Sequence, residues 1–188
     1  MLGLLGGAFD PPHNGHVTLA REAVARFDVE RLLVLVVAAP GHKPVETALE
    51  SRLALARAAF ADVPRAEVTA DEHAFTIESL RERGLTPAEA VFFVGADEFA
   101  DFLSWRDPDG VLERVRLAVA TRPGYPREQL EGVRARLVRP DRVEFFEIPE
   151  VPASSREIRA SLARGEPIDG LVPPSVARLI VDLGLYGR

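Results

Sequence analysis

Six short apolar runs punctuate the chain, at residues 2–5, 32–38, 67–70, 90–94, 116–120 and 143–148. Such runs, in contrast to strict apolar–polar alternation, predict strands covered on both faces. Between most of them apolar residues fall three and four apart, as at Val17, Ala20, Val24 and Phe27, which share one helix face. This spacing predicts helices over 15–27, 47–61, 76–83, 97–103, 126–136, 154–164 and 173–183. Strands alternating with helices imply an α/β, doubly wound, mostly parallel sheet with helices on both faces. Residues 1–150 would form this core, and 151–188 a helical C-terminal segment of the same single domain.

In a Rossmann-like sheet of this kind, ligands bind beyond the carboxyl ends of the strands, where the winding reverses. The candidate chemistry collects there: residues 6–16 follow the first strand, 40–44 the second, 95–97 the fourth and 121–124 the fifth. In the first of these segments, Gly6 and Gly7 allow a ligand close to the backbone. His13 and His16 then flank Asn14 and Gly15 at a helix start, where unpaired amides and the macrodipole favour an anion. Singly these features read as turn or cap. Together they read as a phosphate site, although the segment has neither a Walker loop nor the three-glycine dinucleotide fingerprint.

Composition narrows the chemistry. With 188 residues and 47% hydrophobic content, the chain can bury a real core. No apolar run approaches the roughly 20 residues of a membrane helix, and no basic region opens the sequence, so a cytoplasmic location is expected. Lack of cysteine removes disulfides, a thiolate nucleophile and Cys-ligated zinc. The formal charge of −6 and the absence of a long basic block argue against a nucleic-acid partner. Lys43 and Asn14, the sole lysine and sole asparagine, both fall in candidate loops. The scarcity of Asn, Gln, Met and Cys fits a thermophilic source and codon bias alike.

Each remaining constellation has two readings. Gly41-His42-Lys43-Pro44 is a solvated loop or a pyrophosphate contact. Phe75-Thr76-Ile77-Glu78-Ser79-Leu80 is an ordinary helix start or part of a substrate pocket, with His73 before it structural or at the surface. Asp97, after Gly95 and Ala96, is a helix cap or an acceptor for a ribose hydroxyl. Trp105 belongs to the core or stacks on an aromatic ligand. Ser154-Ser155-Arg156-Glu157-Ile158-Arg159 is a capping box and equally a cradle of amides, hydroxyls and a cation for phosphates.

His13-Asn14-Gly15-His16 resembles the His-x-Gly-His signature of the nucleotidyltransferase superfamily, and with Phe9-Asp10-Pro11 ahead it resembles the bacterial nicotinate-mononucleotide adenylyltransferases. Gly95-Ala96-Asp97, Trp105-Arg106 and Arg122-Pro123-Gly124 match that family's pattern without change. Three segments depart from it. Pro40-Gly41-His42-Lys43 is shortened and lacks a proline, Phe75 and Ser79 stand where the family has Tyr and Thr, and Ala153 and Arg156 replace Ile and Thr.

The resemblance implies transfer of the adenylyl group of ATP to nicotinate mononucleotide, giving nicotinate adenine dinucleotide and pyrophosphate, with Mg²⁺ carried by ATP and no protein-held metal. It implies catalytic roles for His13, His16, Lys43 and Arg159. ATP would be held by Gly6, Gly7, Phe9, His13, Gly15, His16, Gly95, Asp97, Ser154, Ser155, Arg156 and Arg159. The acceptor would meet Ala8, Asp10, Lys43, Phe75, Thr76, Trp105, Arg106 and Arg122, with its carboxylate held largely by backbone amides near Thr76 and Arg106. Alternatives are an adenylyltransferase acting on nicotinamide mononucleotide or phosphopantetheine, and a nucleotide-binding regulatory module without catalysis. No membrane partner is expected, and a homo-oligomer is left open.

Overall fold

The computed structural model describes residues 1–41, 45–123 and 125–187. Strands β1 (Leu2–Gly7), β2 (Arg31–Val37), β3 (Ala66–Asp71), β4 (Ala90–Gly95), β5 (Arg116–Thr121) and β6 (Val143–Glu147) form one sheet in the order β3-β2-β1-β4-β5-β6. Every pairing is parallel. The winding therefore reverses between β1 and β4, which opens a crevice at their carboxyl ends.

The helices are α1 (Asn14–Arg26), α2 (Leu49–Phe60), α3 (Thr76–Glu82), α4 (Ala96–Ala100), α5 (Pro108–Leu112), α6 (Arg127–Arg134), α7 (Ser155–Ala163) and α8 (Pro174–Asp182). Alternate strand residues feed two apolar layers. Leu5, Val34, Val91 and Phe93 pack with Val17, Leu55, Ile158 and Val176, from α1, α2, α7 and α8. Leu4, Leu33, Phe92 and Val94 pack with Ile77, Phe99, Val111 and Leu130, from α3, α4, α5 and α6. The central strands are thus buried on both faces, which is why their interiors are apolar, whereas the edge strands β3 and β6 expose Glu67, Glu144 and Glu147.

All six predicted strands are present, each within two residues of its expected limits. The helix expected over 97–103 is instead broken: α4 ends at Ala100 and a 3₁₀ turn, Phe102–Ser104, follows. Phe99 and Phe102 lie fully buried with their rings stacked 5.7 Å apart, and the tighter turn directs both into the same layer. Two short elements went unpredicted, α5 and a 3₁₀ turn at Pro140–Arg142. Helix α5 carries its own start signal in Asp107, whose carboxylate accepts from the Gly110 amide at 3.0 Å, and in Pro108 as its first residue.

The C-terminal helices are tied to the start of the chain. Asn14 donates to the carbonyls of Gly170 (2.7 Å, side chain) and Leu171 (2.9 Å, backbone), and Ser175 Oγ donates to the Ala58 carbonyl at 2.9 Å. Helix α7 is capped by Ser154, whose Oγ accepts from the Glu157 amide at 3.2 Å, and is followed after its last turn by Gly165 with φ of 70°.

Candidate active site

The loop from β1 to α1 is shaped by close packing. Phe9 takes a φ of 49°, rare for a non-glycine residue, and is buried edge-on against His16 and Phe60. His13 caps α1 and stacks on His16 with ring centroids 3.7 Å apart. Gly15 leaves the stack room, because a β-carbon there would lie a tight 3.0 Å from His13 Nδ1.

The His13 amide donates to His16 Nδ1 at 3.2 Å. That bond uses the Nδ1 lone pair, which leaves Nε2 as the ring nitrogen that carries the proton. Burial pushes the His13 ring down to about 4, so it is neutral near pH 7, and its Nδ1 has no hydrogen-bond partner among the described residues. Two imidazoles at a helix N-terminus, one of them held neutral by burial, offer N–H donors to an anion.

The C-terminal segment closes over this loop. Arg159 Nη1 donates to the Asp10 carbonyl at 2.6 Å, and Ser155 Oγ donates to the Pro11 carbonyl at 2.8 Å. Tyr186 donates its hydroxyl to Asp10 Oδ1 at 2.6 Å, and burial together with this bond pushes the phenol well above its usual range. Below the loop the buried Arg52 donates to the carbonyls of Ala8 (2.9 Å), Val37 (2.7 Å), Ala38 (2.7 Å) and Thr47 (3.0 Å). One guanidinium thus fastens the end of β1, the end of β2 and the approach to α2. Its positive charge is discouraged by burial and supported by Asp10.

A cavity of about 400 Å³ opens at the crevice. Gly6, Gly7 and Ala8 border it at the end of β1, Gly95 from β4, Phe75 and Thr76 from the start of α3, and Trp105 and Arg106 from the far side. Phe75 lies between two partners: the Arg106 guanidinium sits 4.6 Å from its ring centre, and Gly41 covers its tip. A β-carbon at Gly41 would come within 2.5 Å of Phe75 Cζ. Two departures from the family pattern, the loop at Gly41 and Phe75, therefore meet in space. Arg106 is also 2.9 Å from Glu78, and Trp105 packs against Phe92 and Phe102 with one side on the cavity.

The expected site residues thus separate into two neighbouring groups. His13, Gly15, His16, Ser155 and Arg159 gather at the start of α1, with Phe9 and Asp10 buried beneath; Ser154 lies at the start of α7 and Arg156 faces solvent. Asp97 and Arg122 lie outside the cavity lining. Asp97 is the second residue of α4 rather than its cap, and accepts from the Tyr125 hydroxyl at 3.2 Å; Arg122 lies 3.8 Å from Glu150. Lys43 and His42 lie outside the described residues.

Sequence reasoning passed over Arg52, Tyr125 and Tyr186, and set His73 aside, although it borders the cavity. Arg52 falls on the apolar face of a helix, which is the one signal that could have marked it. Among the described residues no three acidic or histidine side chains are grouped to hold a metal, and no helix is long and apolar enough to cross a membrane.

Comparison with known proteins places these features in context. The cytidylyltransferase-like family pattern matches residues 4–161. A protein of Rubrobacter xylanophilus named "probable nicotinate-nucleotide adenylyltransferase" is 37% identical over 98% of this chain and 91% of its own length. One of the same name from Solibacter usitatus is 39% identical over 98% of each. Among solved structures, the nicotinic acid mononucleotide adenylyltransferase of Plasmodium falciparum, complexed with NaAD, superposes with a TM-score of 0.79 at 16% identity, covering 98% of this chain and 96% of its own. That last likeness is one of fold.

Proposed function

This chain belongs to the cytidylyltransferase-like family and, within it, to the nicotinate-nucleotide adenylyltransferases, and from that premise we propose that it transfers the adenylyl group of ATP to nicotinate mononucleotide in the formation of NAD. The observation that carries this reading is one of adjacency. A paired-histidine helix start suited to phosphates adjoins an aromatic cavity with room for a pyridine ring, both at the reversal point of the sheet.

In the reaction a phosphate oxygen of the acceptor attacks the α-phosphorus of ATP, and the bond to the bridging oxygen of the β-phosphate breaks to release pyrophosphate. The nucleophile is already ionised near pH 7, so no side-chain base or covalent intermediate is needed. Catalysis reduces to in-line alignment and stabilisation of charge on the equatorial and leaving oxygens. His16, through Nε2–H, and His13 would donate to the transferring phosphate. Arg159 and Ser155, already bonded to the Asp10 and Pro11 carbonyls, would meet the β- and γ-phosphates, with Lys43 as a further cation. Mg²⁺, if carried in by ATP, would supply charge neutralisation at its phosphates. Phe75, Trp105 and the backbone near Thr76 and Arg106 would hold the pyridine ring and its carboxylate, while Asp97 and Arg122 are proposed to contact the nucleotides beyond the cavity.

The test is release of pyrophosphate and appearance of dinucleotide from ATP and Mg²⁺, with nicotinate mononucleotide, nicotinamide mononucleotide and phosphopantetheine as rival acceptors. Preferential turnover of the first is expected. Turnover confined to another acceptor would discard the pyridine-carboxylate pocket, and ATP binding without turnover would indicate a regulatory module. His16→Ala should lower kcat by about 100-fold, in the range for removal of a charge-stabilising donor, while substrate binding changes little.

A further inference from the structure

His73 sits in the loop joining β3 to α3, with both ring nitrogens committed to carboxylates. Nδ1 is 2.9 Å from Asp71 Oδ1, and Nε2 is 2.9 Å from Glu82 Oε2. Asp71 ends β3 and is buried, whereas Glu82 is the last residue of α3. The His73 amide also donates to Asp71 Oδ1, at 3.1 Å. The ring therefore staples the two ends of a segment that includes Phe75 and Thr76 at the cavity wall. The same loop supports the neighbouring one, because the Gly41 amide donates to the Ala74 carbonyl at 3.1 Å.

We propose that His73 is a positioning residue for the acceptor nucleotide: as an imidazolium it clamps the end of β3 to the end of α3 and so holds Phe75 and Thr76 in place. This rests on the reading of the cavity as the acceptor pocket. Only the protonated ring has two N–H donors, so a neutral ring can satisfy one carboxylate while its bare nitrogen faces the other. The charged groups facing it are Asp71 from β3 and Glu82 from α3, and both favour the proton; the hydrogen bond to Asp71 is the main reason its pKa is raised. The clamp thus holds below that raised pKa and is released as pH climbs through it. Glu82 is exposed, so the effect should be moderate.

The experiment follows the sole tryptophan, Trp105, by fluorescence while nicotinate mononucleotide is titrated between pH 6 and 9.5, alongside kcat and both KM values. In the unaltered protein, acceptor affinity should fall about three- to tenfold across the titration of the His73 ring, itself followed by NMR. His73→Gln should bind at the weak, high-pH level throughout, with kcat and the KM for ATP nearly unchanged. His73→Arg, which keeps a cation, should lose the pH dependence while staying near the tight level. Glu82→Gln should move both the ring titration and the affinity change to lower pH. Because the acceptor's own phosphate titrates identically in every variant, differences between them isolate the clamp. A His73→Gln protein with the affinity and pH profile of the unaltered one would overturn the proposal. Should no pyridine nucleotide bind, the functional reading fails by itself. The clamp would then be judged from the NMR signals of residues 72–76: movement in step with the ring sustains it, and indifference to the ring overturns it.

Discussion

At the scale of single residues, the first helix start depends on two stacked histidines, and burial holds one of them, His13, neutral. The His13 ring titrates near 4 in the folded chain and near its ordinary 6.5 when unfolded. Between those values the unfolded state binds the extra proton, so folding stability is lost as pH falls from 6.5 toward 4. The full penalty is about 3 kcal/mol at 1.36 kcal/mol per pKa unit. Denaturant unfolding at pH 7 and pH 4.5 should therefore show a smaller acid-side loss in His13→Gln than in the unaltered protein. An equal loss would mean that the ring is solvated. A second residue-scale expectation concerns Gly41, where a methyl group would clash with the Phe75 ring that borders the cavity. Gly41→Ala should raise the KM for the acceptor several-fold and leave that for ATP close to its original value, as steady-state kinetics with each substrate varied would reveal.

At the scale of elements, the C-terminal helices belong to the phosphate site. The segment between Phe9 and Asn14 is held by Ser155, Arg159, Gly170, Leu171 and Tyr186, all more than 140 residues away in sequence. Tyr186→Phe would leave the buried Asp10 carboxylate short of one hydrogen bond. A stability loss of about 1–3 kcal/mol is expected from the orphaned acceptor, together with a several-fold drop in kcat as the histidine loop loosens. Thermal melts and turnover should change together. A loss of stability with kcat intact would make Tyr186 a mere fastener of the chain terminus.

For the molecule as a whole, the residues of α7 and α8 share an apolar layer with β1, α1 and α2. A division of the chain into separately folding units near residue 150 is thus not expected. Unfolding followed by far-ultraviolet circular dichroism and by Trp105 fluorescence should give one coincident transition. Two separated transitions would show the helical segment to be a unit of its own.

The apolar runs, the helix spacings and the position of each motif after its strand were legible in the sequence because they arise from local periodicity and from the two-sided burial of a parallel sheet. The same holds for the paired histidines and for the Ser154 cap, which rely on neighbours a few residues away. Tertiary structure alone decided what meets across the fold. Arg52 reads as an interruption of an apolar helix face until four carbonyls from three chain segments converge on it. His73 reads as a structural or surface residue without a motif until β3 and α3 bring a carboxylate to each of its nitrogens. Gly41 and Phe75, 34 positions apart, acquire their relation only when their loops pack together. Periodicity fixes which face of an element is buried, whereas long-range polar contacts depend on the crossing of separate segments, and no local pattern records that.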